Sequence, residues 1–88
     1  MQITDIKIRK IVNEGKMRAV VSVTFDDELV IHDIKIIQGQ DKFFLAMPSR
    51  KMYDGGFCDI AHPTSRVLRE HLEREVTEAY LNEVSGKE

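Results

Sequence analysis

The sequence has no tryptophan, one cysteine, two prolines and no long apolar run. Each shortage excludes something. The lone Cys58 cannot close an internal disulfide, so a reducing, cytoplasmic setting is expected. No stretch is apolar and long enough to span a membrane. Met1 is followed by Asp5, Lys7, Arg9 and Lys10 rather than the apolar core of a secretory leader. The five glycines form no phosphate-cradling loop, since Gly55-Gly56 stands alone. A formal net charge of −2 is not the strong basic excess of a nucleic-acid-coating chain.

What remains is an 88-residue chain with 42% hydrophobic and 32% charged residues, a globular composition that fits one domain over 1–88. A domain this small buries only about 60–65% of its unfolded surface. Its core is thin, and an interface with a second copy would help stabilise it.

The two prolines punctuate the chain. Before Pro48 the pattern runs in steps of two. In Thr4–Val12, Ile6, Ile8 and Val12 point one way and Asp5, Lys7 and Arg9 the other. In Met17–Phe25, Met17, Ala19, Val21, Val23 and Phe25 share a face. Leu29–Ile37 is Ile-rich but interrupted by His32, Asp33 and Lys35, and Phe43–Met47 is short and apolar. Turns are expected at Asn13–Lys16, Asp26–Glu28 and Gln38–Lys42. Alternation with β-branched residues and short turns predicts an antiparallel meander. Between the prolines, Pro48–Tyr53 reads as a mobile loop, Asp54-Gly55-Gly56 as a turn and Phe57–Ala61 as a short fifth strand. After Pro63, Leu68, Leu72, Val76, Ala79 and Tyr80 recur at three or four, with Val67 and Val84 near the stripe. That is an amphipathic helix over about 64–84, capped by Thr64 or Ser65 and closed near Gly86. The expected fold is α+β: a sheet of four to five strands over about 3–61, followed by one long C-terminal helix.

Few residues suggest chemistry. Cys58 and His62 lack the further ligands of a zinc site, and Cys58 reads as a small part-buried hydrophobe. Cys58 with His62 or His32 would be the only nucleophile–base pair, without an oxyanion motif. His32 and Asp33, adjacent on a strand, should face opposite ways. His71 reads as a packing residue beside the helix stripe. A binding module rather than an enzyme is expected, with no cofactor and no metal.

Charge is distributed in blocks. Basic residues lead between Met1 and Arg18 and between Pro48 and Arg69; acidic residues lead between Ala19 and Met47 and after Arg69. Arg50 and Lys51 sit together after Pro48. Arg66 and Arg69 open the helix, where cations oppose the macrodipole by a few tenths to about 1 kcal/mol each. A helix N-terminus attracts anions, and Arg grips phosphate through two parallel hydrogen bonds. The competing explanation is a surface ladder, because Arg66–Glu70, Arg69–Glu73, Glu70–Arg74 and Arg74–Glu78 are all four apart. For Arg50 and Lys51 the choice lies between a solvated loop and an anion contact.

The runs Leu45-Ala46-Met47-Pro48-Ser49-Arg50-Lys51 and Phe57-Cys58-Asp59-Ile60-Ala61-His62-Pro63 resemble the SpoVG family of bacterial septation proteins. So do Thr4-Asp5-Ile6, Gly15-Lys16-Met17-Arg18-Ala19 and His32-Asp33-Ile34; the likeness spans roughly Met1 to Leu81. It implies a septation regulator linked to sporulation and gene regulation, acting as a homodimer on DNA and, in some members, on RNA. It implies nucleic-acid contacts at the basic loop, here Arg50 and Lys51, and on the C-terminal helix, for which Arg66 and Arg69 are the physical choice. The position of Cys58 is usually basic in the family and is neutral here. The alternative to nucleic acid is an adaptor of the division machinery, meeting a protein partner through a sheet edge or the acidic end of the helix.

Overall fold

The computed structural model describes residues 1–86. Six strands precede one helix: β1 (Ile3–Glu14), β2 (Met17–Phe25), β3 (Leu29–Gln38), β4 (Phe43–Ala46), β5 (Ser49–Lys51), β6 (Phe57–Asp59) and α1 (Arg66–Ser85). The first four form one antiparallel sheet in the order β1-β2-β3-β4, and β5 pairs only with β6. The expected α+β meander with its C-terminal helix is therefore present.

Alternation places the core as expected on β2, where Ala19, Val21, Val23 and Phe25 are all buried. Ile6 and Ile8 lie opposite Val23 and Val21. The register then shifts, so Ile11, not the expected Val12, lies opposite Ala19. Met17 also leaves the phase of its strand, pairing with Ile37 while Ala19 pairs with Ile36.

The break in β3 has the same cause. Val21 pairs with Ile34 and Val23 with Ile31, so His32 and Asp33 together oppose the single residue Ser22. This is a β-bulge, and Asp33 adopts a left-handed φ of 64° to make it. The extra residue lets both Ile31 and Ile34 face the core despite being three apart. It also corrects the opposite-face expectation for His32 and Asp33, which line one hollow with Arg9, Lys10, Val20 and Ser22. There Ser22, only 5% exposed, makes a 2.7 Å hydrogen bond with His32 Nδ1.

The β2–β3 turn is unusual for its residues. Asp26 and Asp27 both have positive φ, 53° and 56°, and Glu28 N–H donates to the Phe25 carbonyl. Short acids tolerate this conformation because their side chains hydrogen-bond locally. Here Asp26 Oδ1 accepts from the Gln2 amide, and Thr4 Oγ1 accepts from the Asp27 amide. The acidic turn is thereby anchored to the start of β1.

Helix α1 lays Leu72, Val76 and Tyr80 on the sheet, with Leu68 packed at the margin. Each such burial contributes about 1.5–3 kcal/mol, which outweighs the cost of cations in the first turn. Phe43 and Tyr80 meet edge to face at 5.6 Å. Val67 and Val84, placed near the stripe by spacing, are exposed instead. Ser65 is the N-cap, its Oγ accepting from Leu68 N–H at 3.1 Å. Gly86 closes the helix with φ −79°, not the left-handed cap that glycine often supplies.

The bulge generates a stability prediction. Asp33→Gly should be at least as stable as the parent, and Asp33→Val less stable by about 1–2 kcal/mol, because a β-branched residue resists positive φ. Urea unfolding of the two variants measures this.

Candidate nucleic-acid interface

The segment read as a mobile loop, Pro48–Tyr53, is half of a β-ribbon. Ser49 pairs with Asp59, Arg50 with Cys58 and Lys51 with Phe57. The base is closed by Ile60 N–H donating to the Pro48 carbonyl at 2.7 Å, and the tip by Met52 N–H donating to the Gly56 carbonyl at 2.7 Å. At the tip, Gly55 N–H reaches back to the Met52 carbonyl, Gly55 takes φ 90°, and Asp54 Oδ1 accepts from Gly56 N–H. The Asp-Gly-Gly signal therefore marks a hairpin turn, with glycine where the backbone must go left-handed.

Every residue from Ser49 to Ile60 is exposed. The ribbon pairs with neither edge of the main sheet. Its register sorts the side chains, because directly opposed residues share a face. Arg50 and Cys58 share one face; Ser49, Lys51, Phe57 and Asp59 share the other. The basic pair, adjacent in sequence, is thus split between two faces of the ribbon. Both residues nonetheless line one hollow near its tip, with Met52 and Tyr53.

Cys58 is exposed, which corrects the part-buried reading. Its Sγ lies 3.7 Å from the Asp59 carbonyl. His62 Nδ1 lies 3.1 Å from the Pro63 carbonyl. Among the described residues no group of three or more His, Cys, Asp or Glu is placed to hold a metal. The neutral Cys58 sits directly across from Arg50, so any charge missing from this patch is missing on the Arg50 face.

Arg66 and Arg69 are at the start of α1, and the ladder expected for them is formed. Arg66 Nε lies 3.5 Å from Glu70 and Arg69 Nη1 lies 3.9 Å from Glu73. Arg74, by contrast, contacts Glu75 at 4.0 Å rather than Glu78. The first pair is highly exposed, so it contributes little to stability. Neither helix arginine lines the hollow that holds Arg50 and Lys51. His71 is half-buried beside the stripe, with Nδ1 3.3 Å from Arg74 Nη2.

Residue reading alone missed Tyr53 and Phe57. Tyr53 is 109% exposed and Phe57 73%. The available signal was the Asp54-Gly55-Gly56 turn: extending a hairpin from it pairs Lys51 with Phe57.

The whole chain has counterparts. The SpoVG family model matches residues 1–82. A protein of Clostridium beijerinckii called "Putative septation protein SpoVG" is 59% identical over 85 residues, covering 97% of this chain and 93% of that one. A protein of the same name from Caldicellulosiruptor saccharolyticus is 54% identical over 88 residues, covering 100% of both chains.

Removing the cap should cost more than removing a helix arginine. Ser65→Ala is expected to lower stability by about 0.5–2 kcal/mol, whereas Arg66→Gln should change it by less than roughly 0.5 kcal/mol. Thermal unfolding by circular dichroism compares the two.

Proposed function

The chain belongs to the SpoVG family of septation proteins, and from that membership we propose that it is a dimeric nucleic-acid-binding regulator whose contact surface is the β5–β6 ribbon. One observation carries this reading: an exposed two-stranded ribbon, independent of the main sheet, that presents Arg50 and Lys51. A duplex major groove admits a two-stranded ribbon, and several DNA readers use strands in this way. A two-fold dimer would present two ribbons to one nucleic acid. Arg66 and Arg69 are secondary contacts in this reading, since each must leave a glutamate to meet a phosphate.

The competing reading, a protein adaptor in division, draws on the far end of α1. There Leu81 and Val84 are exposed among Glu78 and Glu83. Removing Ala79–Glu88 would take the buried Tyr80 with it. The cleaner probe is therefore Leu81→Ser with Val84→Ser, followed by capture of partners after nuclease treatment.

Fluorescence anisotropy with labelled DNA at several salt concentrations tests the main reading. Affinity should fall linearly on a log–log plot, with a slope near −0.9 for each duplex phosphate contact. Arg50→Glu with Lys51→Glu should remove most binding. Salt-independent binding, or an unchanged double variant, would refute it. Capture that survives nuclease and is lost in the Leu81/Val84 variant would favour the adaptor.

A further inference from the structure

The ribbon carries more than charge. Aromatic rings normally leave water, yet Tyr53 and Phe57 stand out into it at 109% and 73% exposure. Each stands beside a cation. Phe57 is the cross-strand partner of Lys51, and Tyr53 shares the tip hollow with Arg50, Lys51 and Met52. That hollow is an open one of about 400 Å³. Two acids lie close by: Asp54 Oδ1 accepts from Gly56 N–H, and Asp59 shares the Lys51 face at the base of the ribbon, opposite Ser49.

Phosphate recognition on a duplex needs the cations, but paired bases hide their faces in the stack and give two open rings a platform only where a base step is pried apart. An unpaired strand offers both a phosphate and a free base face at every step. Aromatic platforms interleaved with cations are the arrangement that single strands use. We infer that the ribbon tip of this protein is a single-strand site: Tyr53 and Phe57 each stack an unpaired base while Arg50 and Lys51 hold the adjoining phosphates. This rests on the nucleic-acid reading above and adds the form of nucleic acid selected. The Arg50–Cys58 face, without a ring, contributes charge alone.

The absence of tryptophan makes the test direct. Protein emission comes from Tyr53 and the buried Tyr80, so a base stacking on Tyr53 should quench it. Anisotropy and tyrosine emission are measured with a short mixed-sequence oligonucleotide, as DNA and as RNA, and with the same DNA sequence as a duplex. Tyr53→Ala and Phe57→Ala should each weaken single-strand binding about tenfold, the lower part of the range for one stacked base. Duplex binding should change less than twofold, and the salt slope should not change. Tyr53→Phe should keep the affinity and abolish the quenching. Both positions are exposed, so the melting temperatures of all three variants should match the parent.

Equal losses on single strand and duplex, or no loss on either, would overturn the inference while leaving the general reading intact if Arg50→Glu with Lys51→Glu still abolishes binding. Parent protein that binds neither form would overturn both. Light scattering is run alongside; Phe57→Ala splitting an assembly into single chains would assign the ring to a subunit contact and overturn the inference.

Discussion

One apolar contact supports the rest of the molecule: the Leu72, Val76 and Tyr80 stripe of α1 seated on the face formed by Ala19, Val21, Val23, Ile34 and Ile36. A sheet of four strands buries one face only if something covers it, and a single helix is all the described residues supply. Helices in isolation are marginal in water, so the covering is mutual. The sheet holds the helix in shape, and the helix keeps the sheet dry. The bulge at His32 and Asp33 serves the same contact, because without it Ile31 and Ile34 could not both face inward.

The ribbon lives outside this arrangement. A lone two-stranded hairpin is marginally stable in water. This one depends on its few cross-strand bonds, on the closure between Pro48 and Ile60, and on glycine at its tip. Its side chains contribute little to the core, which leaves their chemistry to be set by binding. Charge and exposed rings are thus carried where they do not compromise folding. The separation has a physical reason: a thin core cannot bury cations without partners.

The parts of the fold visible in the residue pattern were those with room for a period. Nine residues of β2 display alternation plainly, and twenty residues of α1 display the three-to-four spacing. The ribbon strands are three residues each, too short to alternate. Pro48–Tyr53 therefore read as loop. The bulges were hidden for a different reason: they shift the phase of a pattern without changing its composition, so Val12 and Met17 were assigned to the wrong phase and His32 and Asp33 to opposite faces. Arg50 and Lys51 were legible as a basic pair, but their division between faces depends on pairing, a tertiary property. Arg66 and Arg69 stood out as cations at the wrong end of a helix, and each turned out to face its own glutamate.

The register slips along β1 carry one more consequence. β1 is the long free border of the sheet, and β4, the other border, is four residues. A straight border of twelve residues would be a template on which further chains could add indefinitely, as in amyloid growth. The slips after Ile3, Ile8 and Ile11 break the evenly spaced row of amides such growth requires, and exposed Lys7, Arg9 and Lys10 set like charges along it. The irregularities that obscured the reading of this strand are thus a barrier against its polymerisation.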